Sequence, residues 1–450
     1  CRESKAGWKV ASVLAVVMSQ YPKILMYVRY RILYTNYRQH RKRPAAPVLR
    51  TPSVNSVFIK TETHMRFQRR TLVAFAAAAT LIGATPATLA QASGPIKIAN
   101  VVELSGAGAT AGTMFKSGIE LAVKDINAAG GILGRKLEVV NMDTQTNPGV
   151  AKALVVKAID DGAFAIFGPV FTGSILISQT ETRRAEVPNF TAAAGALVTQ
   201  QGSPYIFRTG LTQSNTMPKA ARYMADKLKM KKIAVVYVNN DFGKGGRDAI
   251  VTALKNVNVE VSADISTEAG QVDFSSAVIK AKQSGADGVF VYLNEEESAR
   301  ALRELRKQGW DKPIIGDVTL LGQKVIDLAG EAANGVVGHS EMSADAPIPA
   351  IQAVRDKFVK DYKFVPDHNG IKGYQGVYML KAGIEKVGKF DRPAVAKALH
   401  GMTIKASEQP GILMDVTFDD KGDIDRDSFL IEIYGGKPVV KEILPPLGKK

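Results

Sequence analysis

The chain has 450 residues and a formal net charge of +16, but that charge is unevenly placed. Residues 1–64 hold 12 Lys/Arg against 2 Asp/Glu, Arg66, Arg69 and Arg70 follow, and the 358 residues from Ser93 keep a net charge of only +3. A near-neutral main body lacks the basic footprint of nucleic-acid or polyphosphate binding, so no nucleic-acid partner is expected.

Residues 1–64 are rich in Arg, Lys and Tyr, and their apolar stretch from Val10 to Met18 is too short to span a bilayer. They read as a non-native or disordered basic extension, with a lipid- or nucleic-acid-binding arm as the alternative. Residues 65–92, MRFQRRTLVAFAAAATLIGATPATLAQA, carry the three-part pattern of a secretory signal: a basic start, an uncharged apolar run, and Ala90-Gln91-Ala92 before the cut. Cleavage after Ala92 delivers the main body to the periplasm. Cys1 is the one cysteine, so no disulfide and no lipoprotein-type anchor are expected in that body. His339, His368 and His400 are scattered, and no metal site is expected.

From Ile96 onward, short β-branched runs alternate with amphipathic stretches, the pattern of parallel βαβ units. A first series runs from IKIANVVEL through FKSGIELAVKDINAAG, KLEVVNMD, PGVAKALVVKAIDDG, AFAIFGP and SILISQTETRRAE to VPNFTA. A second runs from TMPKAARYMADKLKM through KKIAVVYVNN, GRDAIVTALKN, VEVSADIS, DFSSAVIKAKQSG, GVFVYLN and EEESARALRELRKQG to KPIIGD. The rest supplies the helices IPAIQAVRDKFVKDY, YQGVYMLKAGIEKV and RPAVAKALHG and a late hairpin, GILMDVTFDDKGDIDRDSFLIEIY. The fold class is α/β: two doubly wound parallel-sheet lobes whose cleft lies at the carboxyl ends of the strands.

Several loops imitate known sites. Gly106-Ala107-Gly108 with Gly112 lacks the spacing and the downstream acid of a dinucleotide fingerprint, and Asp241 to Gly246 lacks the order of a phosphate loop. No GxSxG elbow and no nucleophile with a nearby base appears, so no catalytic residue and no cofactor is expected. The strand ends offer small and neutral polar residues instead. Thr172, Gly173 and Ser174 follow the third strand, where helix N-terminal amides favour a carboxylate, although ordinary capping explains the hydroxyls equally well. Ala192 to Gly195 follow the fourth strand. In the second lobe Phe242 offers an apolar wall, Asn294 and Glu295 follow a strand, and Asp317 ends the next, as a site carboxylate or a routine cap. Glu296 and Glu297 complement a helix dipole.

Taken in order, ELSGAGATAG, GIELAVKDINAAGGILGRKLEVVNMDTQTNP, AFAIFGPVFTGS, IAVVYVNNDFGKG and DFSSAVIKAKQSGADGVFVY resemble the successive blocks of type I periplasmic substrate-binding proteins of ABC transporters, in the leucine/isoleucine/valine-binding family. The resemblance implies lobes joined by a three-segment hinge, placed at 93–211 with 342–416 and at 212–341 with 417–450. It implies carboxylate binding by Thr172, Gly173 and Ser174, and a second anchor at Ala193 and Gly195, where the family's threonine hydroxyl is missing. Phe242 stands where the family often has Tyr, Glu295 takes a second Tyr position, and Val318, beside Asp317, falls where an acid commonly meets the ligand ammonium. Ala111 replaces an aromatic of some relatives and leaves room for a bulkier ligand. The implied function is an extracytoplasmic receptor that binds a small carboxylate-bearing solute, foremost an aliphatic or branched-chain amino acid, and hands it to an inner-membrane ABC permease. The alternatives are an NAD(P)-dependent enzyme using the Gly106–Gly112 loop and a ligand-sensing partner of a membrane receptor.

Overall fold

The structure, a computed structural model, describes residues 94–448. The extension at 1–64 and the export signal at 65–92 lie outside the described residues. In chain order the first elements are β1 (Ile96–Val102), α1 (Ala109–Ala128), β2 (Leu137–Asp143), α2 (Pro148–Asp160), β3 (Ala165–Phe167), α3 (Thr172–Arg184), β4 (Asn189–Thr191), α4 (Leu197–Gln200) and β5 (Ile206–Arg208). Then come α5 (Gln213–Arg222), β6 (Lys232–Val238), α6 (Asp241–Asn256), β7 (Glu260–Thr267), α7 (Ser275–Gln283), β8 (Gly288–Tyr292), α8 (Glu295–Lys307), β9 (Ile314–Gly316), α9 (Gln323–Ala329) and β10 (Val337–Ser340). The last are α10 (Pro349–Tyr362), α11 (His368–Val387), α12 (Arg392–Leu399), β11 (Thr403–Ile404), β12 (Val416–Phe418), β13 (Ile424–Asp425), β14 (Ser428–Tyr434) and β15 (Lys437–Leu444).

The strands form one sheet per lobe. The first has the order β2-β1-β3-β4-β5, all parallel. The second runs β15-β14-β10-β9-β8-β6-β7, parallel from β7 to β10, with β14 and β15 antiparallel at one edge. In each lobe the five parallel strands therefore stand in the order second, first, third, fourth, fifth. That order reverses direction between the first and third strands, and ligands of open α/β sheets bind outside that switch point. The central strands AIF, NFT and IFR of the first sheet and GVFVY of the second are buried along their whole length, as strands covered by helices on both faces must be.

Among the elements that escape the sequence reading are the strands β5, β10 and β15. The late hairpin is also divided between sheets. Strands β12 and β13 pair with β11 in a small antiparallel sheet, and only β14 joins the second lobe. The final crossing thus falls at Arg426–Asp427 rather than at 416–417. The reason is edge protection: Arg208 N donates to Gly422 O at 3.0 Å, and Phe418 packs edge-on against Phe207 with ring centroids 5.5 Å apart. The hairpin tip so covers β5, an edge strand that would otherwise expose unpaired backbone groups.

Helix α11 starts six residues before the sequence reading places it, with Asp367 as its cap. It packs on α1 backbone to backbone. A Cβ on Gly118 would stand 1.9 Å from Gly370 O, and one on Gly373 would stand 2.2 Å from Phe115 O. Glycine is required there by the close approach of two helices. Gly373→Ala is therefore expected to destabilise the protein by about 1–3 kcal/mol, the usual range for an overpacked interior. Urea unfolding checks this, and an unchanged midpoint counts against the seam.

Candidate functional site

The loops that leave the switch points of both sheets meet in one cavity. From the first lobe come Ala111 on α1, Val170 and Phe171 after β3, Thr172 at the start of α3, and Ala192 and Ala194 after β4. From the second come Phe242, Asn294, Glu295, Val318 and Thr319. His368, Asn369 and Lys372, all in the first turns of α11, complete the lining. Phe242 stacks on Tyr292 with centroids 4.4 Å apart, which fixes the apolar wall of the second lobe.

Of the residues singled out from the sequence, Ala111, Thr172, Phe242, Asn294 and Glu295 line this cavity. The others have different duties. Gly173 lies under Asp241, whose carboxylate is 2.8 Å from where a Cβ would stand. Ser174 is buried and turned to Glu103. The carbonyls of Ala193 and Gly195 accept hydrogen bonds from the fully buried guanidinium of Arg208, which also binds Asp423 at 2.5 Å. Asp317 faces His339 Nδ1 at 3.2 Å and accepts from Thr216 Oγ1 at 3.2 Å, so it is not on the cavity wall.

Thr172 explains the missing hydroxyl at position 195. Its Oγ1 accepts from Gly195 N at 3.3 Å, and a Cβ on residue 195 would stand 2.4 Å from Thr172 Cγ2. The two positions share one space, and one hydroxyl fills it. The Gly106–Gly112 loop is likewise shaped by packing: Gly106 has φ +77°, and a Cβ on Gly112 would lie 2.0 Å from Glu103 O. The glycines let α1 close on the end of β1.

Glu103, fully buried, holds the loop after β3. Its carboxylate accepts from Val170 N at 3.1 Å and Phe171 N at 3.3 Å. Burial pushes its pKa up to about 7, against the pull of those amides and of Ser174. Glu295, 5% exposed, is raised to about 8 by burial and by the neighbouring Asp367 carboxylate. Asp367 is itself raised to about 6 by burial, while its oxygen accepts from Asn369 N at 2.8 Å and Gly370 N at 3.1 Å. Burial holds His368 well below the usual imidazole range, hence neutral. Lys372 forms a buried ion pair with Glu341, the residue that follows β10.

Sequence reasoning missed Thr319, His368, Asn369 and Lys372. The hydroxyl of Thr319 and the Nδ2 of Asn369 are buried without a hydrogen-bond partner. The polarity of HNGIK, beside an expected helix, was the available signal. Across the two lobes Thr110 Oγ1 donates to Glu296 Oε1 at 2.5 Å.

A family profile described as periplasmic binding protein matches residues 95–437. The Leu/Ile/Val-binding protein of Escherichia coli (strain K12) is 31% identical over 332 residues, 73% of this chain and 88% of that protein. The leucine-, isoleucine-, valine-, threonine- and alanine-binding protein of Pseudomonas aeruginosa is 28% identical, covering 77% of this chain and 91% of the relative. Among solved structures, the branched-chain amino acid transporter substrate-binding protein LivJ of Streptococcus pneumoniae, in complex with isoleucine, superposes with a TM-score of 0.72 at 25% identity, over 78% of this chain and all of that one. A solute-binding protein of R. palustris in complex with benzoate has a TM-score of 0.73 at 23% identity, over 79% of this chain and 98% of that one.

The elevated Glu103 carboxyl has a consequence for stability. The folded chain holds a proton there more tightly than the unfolded chain, so stability falls as pH rises from the ordinary glutamate value of 4.5 through about 7. Glu295 and Asp367 act with the same sign. The ligand-free protein is expected to melt at a lower temperature at pH 8 than at pH 5.5, and Glu103→Gln to flatten part of that dependence. Scanning calorimetry across this range reads it, and identical slopes in the two proteins would remove Glu103 as the cause.

Proposed function

The chain belongs to the periplasmic binding protein family, and on that premise we propose that it is the exported receptor of an ABC importer, closing its lobes on a small carboxylate-bearing solute. The solute foremost in this reading is an aliphatic or branched-chain amino acid, delivered chemically unchanged to an inner-membrane permease. The observation that carries the reading is the position of the cavity, at the switch points of both sheets at once. Ligand contact in both lobes is what makes closure depend on occupancy, because rigid lobes swing about the crossings near 209–212, 341–348 and 426–427.

An amino acid meets complementary groups here. The Thr172 hydroxyl, at the start of α3, donates to the carboxylate, and Ala111, Val170 and Phe242 surround the side chain. Glu295 is the acid on the lining, and an α-ammonium beside it offsets the burial that otherwise favours its protonated form. A second reading follows from the same carboxyl. Closed over an acid without an ammonium, such as benzoate, Glu295 keeps its proton and serves as a hydrogen-bond donor.

The readings separate by proton count. At pH 7, below the value of about 8 to which burial raises Glu295, the empty site already holds that proton; closure over benzoate keeps it, whereas closure over L-leucine, whose ammonium favours the ionised form, releases it. Titration calorimetry on residues 93–450 in phosphate and in Tris is expected to give buffer-dependent heats for L-leucine. Buffer-independent heats for benzoate, with none released by any amino acid, would move the solute to simple organic acids. Thr172→Ala is expected to weaken the bound acid by about 1–3 kcal/mol, the cost of a lost charge-assisted hydrogen bond, with melting behaviour retained. Unchanged affinity in that variant would take Thr172 out of the ligand contact.

A further inference from the structure

The three crossings between the lobes converge on a set of buried charges. Glu341, on the second crossing, is 2% exposed; it pairs with Lys372, and its other oxygen accepts from the backbone N–H of Leu211 on the first. Arg426, on the third crossing, is 4% exposed and lies within electrostatic reach of the same carboxylate. Its Nη1 donates to Gln375 at 2.9 Å, but its Nε and Nη2 have no partner among the described residues. Lys372 and Arg426 thus share Glu341, with Asp367 a second carboxylate within electrostatic reach of Lys372, in a setting where an unpaired charge is costly. Of the other buried cations nearby, Arg208 binds Asp423 and Lys219 donates to Ser428 Oγ at 2.8 Å.

The cluster abuts the cavity. Lys372 lines it, and an ammonium has three donors. One serves Glu341, one points to Ala192 O at 3.4 Å, and the third is uncommitted among the described residues. Asn369 stands one helical turn earlier on the same face of α11, 2% exposed and also on the lining. Its Nδ2 leans toward Asp367 without the geometry of a hydrogen bond and has no partner. The backbone amides of Asn369 and Gly370 are already capped by Asp367, so donors for a ligand must come from these side chains.

We propose that Lys372 and Asn369 receive the carboxylate of the solute, which fills their uncommitted donors, one of them on an ammonium, and makes the pocket select acids over their neutral amides. This rests on the receptor reading above and adds to it an anchor on α11, apart from the strand-end loops. Thr172 then shares the carboxylate or binds its second oxygen.

The test compares each acid with its amide: benzoate with benzamide, and L-leucine with L-leucinamide, by titration calorimetry on the full mature chain. Lys372→Met is suited to it, because Arg426 remains to balance Glu341 and no buried charge is stranded. It is expected to lower affinity for whichever acid binds the wild type by roughly ten- to a hundred-fold, the scale of a lost charged hydrogen bond, and to shrink the preference for acid over amide. Asn369→Asp, which places a carboxylate where a donor stood, is expected to weaken the acid further than Asn369→Ala does, and serves alone should Lys372→Met fail to fold. An acid bound equally by wild type and Lys372→Met with its preference intact, or bound more tightly by Asn369→Asp, overturns the subsite and leaves the receptor reading standing. Failure of the wild type to bind either acid removes both.

Discussion

Glu341 is the point on which the arrangement of the two lobes depends. Its carboxylate is buried where the chain passes between them; Leu211 of the first crossing and Lys372 of the cavity wall hold it, and Arg426 of the third crossing lies within electrostatic reach. A buried ion pair contributes little net stability relative to apolar packing, but breaking one by removing a single partner costs about 3–5 kcal/mol. The geometry of the crossings is thereby specified by charge rather than by apolar burial alone. Since Lys372 belongs both to that junction and to the cavity, what sits in the cavity is felt at the hinge through one ammonium group.

Close backbone approaches set the rest of the site. The seam between α1 and α11 exists because Gly118 and Gly373 leave no side chain between the helices, and the seam fixes where the first turn of α11 projects. A helix displaced by even one methyl group would carry Asn369 and Lys372 away from the loop after β4. The same economy of space governs Thr172 and Gly195, where a Cβ on residue 195 would stand 2.4 Å from Thr172 Cγ2. Arg208 supports that loop from behind by taking the carbonyls of Ala193 and Gly195, leaving their neighbours Ala192 and Ala194 on the cavity wall.

The alternation of strands and helices was legible because most parallel strands carry short β-branched runs between amphipathic helices. The strand ends then gave Thr172, Phe242 and Glu295, since a doubly wound sheet brings its strand ends to one side. What was not legible has physical causes. Strand β10, VGHS, lacks β-propensity because a Cβ on Gly338 would stand 2.6 Å from Gly316 O, closer than a side chain tolerates. Without β10 in view, the partner of Asp317 was invisible: His339 lies on that strand and draws the carboxylate off the cavity. The start of α11 was hidden in the same way. Gly370 and Gly373 read locally as helix breakers, and only the long-range contact with α1 accounts for them, so Asn369 and Lys372 fell in a stretch with no expected role.

In the receptor reading proposed above, two ionisable features set what charge the cavity accepts. Lys372 on the lining carries a donor beyond its pair with Glu341, while Glu295 on the facing lobe is raised to about 8 and carries its proton near neutral pH. Asp367, raised to about 6, lies within electrostatic reach of both. With Glu295 protonated, the lining presents the Lys372 ammonium and a neutral carboxyl, which suits a monoanion. With Glu295 ionised, it is cationic at Lys372 and anionic at Glu295, which suits a zwitterion. On that reading a simple acid and an amino acid differ by one proton in the same pocket, and the acidity of a single buried carboxyl sets the balance between them. Anything that changes the burial of Glu295, such as the bulk at Ala111 or the fit of Phe242 against Tyr292, shifts that balance without touching the carboxylate anchor.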